Sequence, residues 1–120
     1  MTDEYKNIIN LAYDAFNARD VDTVLSCMHP NVHWPNGWEG GYVNGHSEVR
    51  EYWARQWKEI DPKVEPVSIK ENENGQIEVE VHQVAKDLKG NVLFDAIVKH
   101  VYTMDNGLIK SMEIQSHDVH

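Results

Sequence analysis

Cysteine is almost absent from this chain, with Cys27 standing alone. A single cysteine builds no internal disulfide framework, and its isolation fits a reducing compartment. Its neighbours Leu25 and Met28 are apolar, so Cys27 reads as a buried structural thiol. Positive charge is also scarce. Eleven Lys and Arg stand against 20 Asp and Glu, a net charge of −9. No basic stripe gathers to neutralise phosphates, which disfavours nucleic acid as a partner. An anionic membrane surface is disfavoured by the same charge. No apolar run approaches the roughly 18 residues that span a bilayer. The first residues, MTDEYKN, are acidic and polar where a secretory signal is basic and then apolar, so the expected location is cytoplasmic.

Nucleotide and nucleophile motifs are missing as well. No GxGxxG, GK[ST] or GxSxG occurs, and Gly37, Gly40 and Gly41 lack the strand-to-helix context and basic residue that phosphate needs. Of the seven histidines, His29 and His33 are four apart, but Pro30 between them breaks the helix that would join them. His117 and His120 sit at the C-terminal end. No metal and no cofactor is expected.

What is present is globular in character: 120 residues, 41% hydrophobic and 26% charged. That is the size of one domain, spanning 1–120, without repeats or linkers. Helical spacing over 3–19 places Ile8, Ile9, Leu11, Ala12, Ala15 and Phe16 on one side, with Thr2 or Asp3 as cap. A second helix is predicted over 20–28, capped by Asp20 and stopped by Pro30, and a third over 47–60, ended by Pro62. Between them lie an extended Val32-His33-Trp34 and a glycine-punctuated loop, Pro35 to Gly45, holding Trp38 and Tyr42.

The rest alternates with a period of two. Strands are predicted at Val64–Ile69, at Ile77, Val79 and Val81, over 92–104, and from Leu108 to Ser116, with turns at Asn74-Gly75, Lys89-Gly90-Asn91 and Asn106-Gly107. Helices first and strands after give an α+β fold with a largely antiparallel sheet. Along 92–104 one face is Phe94, Ala96, Val98, His100, Tyr102 and Met104. The opposite face keeps Leu93, Ile97 and Val101, half-apolar, so a homodimer through the outer sheet face is expected.

This order of elements resembles the nuclear transport factor 2-like superfamily, which includes ketosteroid isomerases and SnoaL-like polyketide cyclases. The residues that carry the resemblance are Ala15-Phe16-Asn17-Ala18-Arg19-Asp20-Val21-Asp22, His29-Pro30-Asn31-Val32, Asn44-Gly45 with Glu48-Val49-Arg50-Glu51-Tyr52-Trp53, and Asp105-Asn106-Gly107-Leu108-Ile109. The resemblance covers nearly the whole chain and implies a cone: three N-terminal helices on a curved, mostly antiparallel sheet, with a pocket at the wide end. Such signatures specify architecture, not chemistry. In the ketosteroid isomerases a carboxylate base faces a tyrosine and a protonated acid. Here the base position falls on Asn36, whose amide cannot abstract a proton, and the tyrosine position falls on Ala12, with Tyr13 one helical step away. The acid position falls on His100 or, in an ungapped register, on Lys99. The His100 register is preferred, because it puts Phe94, Val98, Tyr102 and Met104 in the core and Lys99 in solvent. Ketosteroid isomerase activity is therefore not expected.

His100 is the candidate catalytic residue, as a pocket acid/base or a hydrogen-bond donor to a ligand carbonyl. Equally open is a buried histidine satisfied by a neighbour such as Tyr13. Tyr13, Trp34, Asn36, Trp38, Tyr52, Trp53 and Met112 are the candidate substrate-binding residues. Against that, Trp53 and Trp57 could simply fill the core, and Pro35-Asn36-Gly37 is an ordinary turn sequence. The expected function is a small-molecule pocket protein of the SnoaL-like type for an apolar or aromatic carbonyl compound. If it is an enzyme, the chemistry is cofactor-free isomerisation, cyclisation or hydration. The alternative is a non-catalytic ligand-binding or dimerisation module.

Overall fold

In a computed structural model, residues 3–36 and 39–116 are described. Thr2, Gly37, Trp38, His117 and His120, which carry expectations above, lie outside them.

Helix α1 (Asp3–Asn17) buries Ile9, Ala12, Tyr13 and Ala15, positions three or four apart that share one face. Leu11 departs from the helical-spacing expectation and is 48% exposed. The helix closes on Arg19 at φ 62, where the N–H of Asp20 donates to the carbonyl of Ala15 at 2.8 Å. The Arg19 guanidinium also lies 5.1 Å from the Trp57 ring centroid and pairs with Asp61, which anchors this uncommon backbone. Helix α2 (Val21–Ser26) is capped by Asp20, whose carboxylate accepts from the N–H of Thr23 at 3.3 Å. It is shorter than predicted because Pro30 sits inside strand β1 (Met28–Pro35) and not merely after a helix. A three-residue strand, β2 (Tyr42–Asn44), pairs with β1 inside the stretch read as loop.

Helix α3 (Gly45–Glu59) begins earlier than predicted, with Asn44 as cap and the Glu48 carboxylate accepting from the Asn44 N–H at 2.8 Å. Val49, Tyr52, Trp53 and Gln56 form its buried stripe. Pro62 does not end this helix. Strand β3 (Ile60–Glu71) starts at once, and Pro62 lies buried within it, paired with Ala85. The reason is position: β3 is the sheet's edge. On an edge, every second N–H points away from the ladder, where a proline loses nothing. Pro62 and Pro66 share that direction with Val64, whose outward N–H and C=O are both held by the Asn17 side-chain amide at 2.9 and 2.7 Å.

Strands β4 (Ile77–Asp87), β5 (Val92–Asp105) and β6 (Leu108–Ser116) complete a six-stranded sheet of order β2-β1-β6-β5-β4-β3. Among the described residues, only the β1–β6 pairing is parallel. Register shifts in the β3–β4, β4–β5 and β5–β6 ladders mark bulges that bend the sheet around the helices. Asn106 at φ 53 followed by Gly107 at φ 80 makes the tight last hairpin. Ile77, Val79 and Val81 of β4 are fully buried on the inner face and pair with Tyr102, His100 and Val98 of β5. This settles the β5 faces: His100 points inward and Lys99 outward, beside Glu78. Phe94 departs from the expectation. At 44% exposed it is not core, although it lines the cavity next to the register shift between β4 and β5.

Candidate functional site

The helices and the inner sheet face enclose a cavity of about 510 Å³, within the usual range for small-molecule sites. Tyr13 from α1, Trp34 from β1, Tyr52 and Trp53 from α3, His100 from β5 and Met112 from β6 all line it. The aromatic rings brace one another. Trp34 meets Trp53 edge-on at 5.9 Å, and Trp34 and Tyr102 are 6.3 Å apart. No Asp, Glu, Lys or Arg is among the described residues lining the cavity.

The polar end of the cavity is a chain of three side chains. The Tyr102 hydroxyl donates to that of Tyr13 at 2.6 Å, and the Tyr13 hydroxyl lies 2.7 Å from Nδ1 of His100. Tyr13 and His100 also stack, with ring centroids 5.9 Å apart. The burial that shapes this chain sets its protonation. It pushes the His100 imidazole down to about 4 and both tyrosines up, Tyr13 and Tyr102 alike, so all three are neutral near pH 7. The neighbour expected for a buried histidine is thus present, and the histidine also reaches the cavity. Its Nε2 has no protein partner among the described residues. Trp57 Nε1 is the one fully buried side-chain polar atom among them that lacks a partner, so Nε2 of His100 is open to the cavity.

The remaining candidates fall elsewhere. Asn36 is buried, but its amide is used by the turn: it donates to Glu39 Oε1 at 3.0 Å and accepts from the Glu39 N–H at 2.7 Å. It is not a lining residue. Arg55 grips the same Glu39 carboxylate with two N–H groups, at 2.9 and 2.8 Å, and with Asn36 holds its pKa at about 2. Trp38 lies outside the described residues. His29 and His33 diverge: one lies 3.7 Å from Asp105, while the other stacks on Tyr42 with centroids 4.2 Å apart. Cys27 is buried, and burial raises its pKa.

Reading the sequence missed Tyr102 as part of the polar chain, treating it as core. It also missed Gln56 and Gln83, which line the cavity. Tyr102 carried a usable signal: it lies two residues from His100 on the same face of one strand. The glutamines carried the same kind of signal: Gln56 shares the helix face of Tyr52 and Trp53, and Gln83 continues the alternation of Ile77, Val79 and Val81.

The SnoaL-like domain matches the chain over residues 9–112. No relative is found among curated protein sequences. Among solved structures, TerC, co-crystallised with polyporic acid, is 26% identical with a TM-score of 0.82, over 94% of this chain and 91% of its own. A nuclear transport factor 2-like protein of unknown function from Burkholderia pseudomallei is 23% identical with a TM-score of 0.82, over 97% of this chain and 92% of its own. RV0760c from Mycobacterium tuberculosis, in complex with estradiol-17β-hemisuccinate, is 14% identical with a TM-score of 0.79, over 92% of each chain. The last two likenesses are of fold alone.

Proposed function

We infer, from the premise that the chain belongs to the SnoaL-like domain family of the nuclear transport factor 2-like superfamily, that it binds a neutral apolar or aromatic carbonyl compound. One observation carries this reading: an uncharged, aromatic-walled cavity of about 510 Å³ that exposes an imidazole nitrogen at its polar end. An ionised ligand would lose its hydration there without gaining an opposite charge, whereas a neutral ring system gains burial and one hydrogen bond. Polyporic acid with TerC and estradiol-17β-hemisuccinate with RV0760c support an organic partner of this size.

In the catalytic form of the reading, His100 serves cofactor-free isomerisation, cyclisation or hydration. Tyr13 orients it, and Trp34, Tyr52, Trp53 and Met112 enclose the ligand. Asn36 leaves the ligand-contact set, because its amide is engaged by Glu39. The non-catalytic form, a binding or dimerisation module, is favoured by one fact: no carboxylate among the described residues lines the cavity to act as base. Ile97, 38% exposed on the outer face of β5, supports a homodimer through that face; Leu93, expected there too, instead lines the cavity beside the β4–β5 register shift, and Val101 is already buried. The lone Cys27 supports a reducing, cytoplasmic setting.

The test is a crystal structure of the purified protein, paired with native mass spectrometry. A co-purified molecule with its oxygen against Nε2 of His100 is the expected outcome. An interior collapsed by Trp34 and Trp53, with no added mass, would overturn ligand binding and leave the dimerisation module.

A further inference from the structure

Three labile protons sit on Tyr102, Tyr13 and His100, and more than one arrangement of them satisfies the 2.6 and 2.7 Å contacts. In one, both hydroxyl protons run toward the histidine: Tyr102 donates to Tyr13, Tyr13 donates to Nδ1, and the ring proton sits on Nε2. In the others Nδ1 carries the ring proton and donates to Tyr13, which leaves Nε2 as a bare lone pair facing the cavity.

Three physical arguments separate them. A phenol is a far better donor than a neutral imidazole N–H, and an imidazole nitrogen a far better acceptor than a phenol oxygen, so the O–H to N direction gives the stronger bond. The 2.7 Å separation lies at the short limit for an N–H to O bond, whose usual length is about 2.9–3.0 Å. Finally, if Nδ1 donates, one hydroxyl proton of the pair is left over. On Tyr102, which is 2% exposed and has no other hydroxyl partner among the described residues, that proton would be stranded. On Tyr13 it would have to leave the chain for the cavity.

We propose that Tyr13 and Tyr102 lock His100 as its Nε2-protonated tautomer, so that the cavity offers a fixed N–H donor there and no base, and selects ligands by a carbonyl oxygen placed at that point. The tautomer half stands on the hydrogen-bonded chain alone; the ligand half rests on the pocket reading above. His100 then polarises a carbonyl or hydrogen-bonds it, and any reaction that needs a proton removed must take a base from the ligand or from water. Tyr13 and Tyr102 act through His100 and are positioning residues.

The test begins without ligand. Long-range proton–nitrogen NMR of the ¹⁵N-histidine-labelled protein distinguishes protonated from bare ring nitrogens, with His100→Gln assigning the signal. The expected pattern is Nε2 protonated and Nδ1 bare. Tyr13→Phe should move His100 toward the other tautomer or into exchange between the two, and Tyr102→Phe should do so to a smaller degree. An Nδ1-protonated His100, or a tautomer unchanged in Tyr13→Phe, would overturn the lock.

The ligand half uses 9-fluorenone and its deoxygenated analogue fluorene, titrated by quenching of tryptophan fluorescence. Fluorenone should bind about tenfold tighter than fluorene, and the ratio should approach one in His100→Leu. Equal affinities in the native protein would overturn the donor role. Binding of neither compound would overturn the pocket reading, while the ligand-free spectrum would still decide the tautomer.

Discussion

Lys99 and His100 are consecutive residues of one strand in two different solvents. The Lys99 ammonium lies 3.4 Å from Glu78 on the outer sheet face, where Lys70 at 3.8 Å shares the same carboxylate. Asn72, with the lysines behind it, holds the Glu78 carboxyl below its ordinary range. His100, on the other side of the backbone, is 5% exposed and is kept neutral by burial. The period of two sorts a charged side chain to water and a neutral one to the cavity. A one-residue slip would exchange them, and the cavity would hold an ammonium where a carbonyl is proposed to bind. The faces differ in energetic character too. Inner contacts are buried; outer ones are ion pairs that water and salt weaken.

The comparison breaks hardest on the inner side. Trp53→Ala should cost about 3–5 kcal/mol of unfolding free energy, because the indole is buried between Phe16, Trp34 and Trp57 and nothing refills its volume. Urea denaturation measures it, and a loss below about 1 kcal/mol would mean that the helix relaxes into the cavity.

Acid acts next. The folded His100 takes a proton only near pH 4, while an unfolded histidine takes one near 6.5. The unfolded state therefore binds more protons in this window, and stability is full above pH 6.5 and falls toward pH 4. The loss attributable to His100 is of order 3 kcal/mol. The groups hydrogen-bonded to it or facing it along the chain, Tyr13 and Tyr102, are uncharged throughout the window and do not offset it. His100→Gln should show a flatter decline between pH 6.5 and 4 in parallel melts, and an identical slope would contradict a buried neutral imidazole.

On the outer face the effect shrinks. Lys99→Ala should cost less than about 0.5 kcal/mol and should lose even that at 1 M salt. A larger, salt-resistant loss would mean that this face is covered, as the proposed homodimer covers it.

Much of this arrangement was legible in the sequence. The β5 faces from Ile97 to Tyr102, the helix-first order and the two Asn-Gly turns follow from local rules: period two, a helical stripe, and backbone conformations that Asn and Gly tolerate; at Leu93 the register shift against β4 breaks the period. The errors share a cause. Pro62 read as a helix stop because its tolerance depends on β3 being an edge, a fact of pairing rather than of local sequence. Three-residue β2 exists only because β1 lies beside it. The site shows the same division. His100 was visible as the polar exception on an apolar face, whereas its link to Tyr13 spans 87 positions and its orientation depends on Tyr102. Asn36 had an ordinary turn reading from the start, and the turn is where its amide is found.

The most direct measurement follows the His100 Nε2–H resonance while 9-fluorenone is added to the ¹⁵N-labelled protein. A saturable shift of that signal, absent with fluorene, is the predicted result: a ligand oxygen in the cavity accepting from His100. A His100 signal that stays fixed while the ligand binds, or that shifts equally with fluorene, would contradict the account.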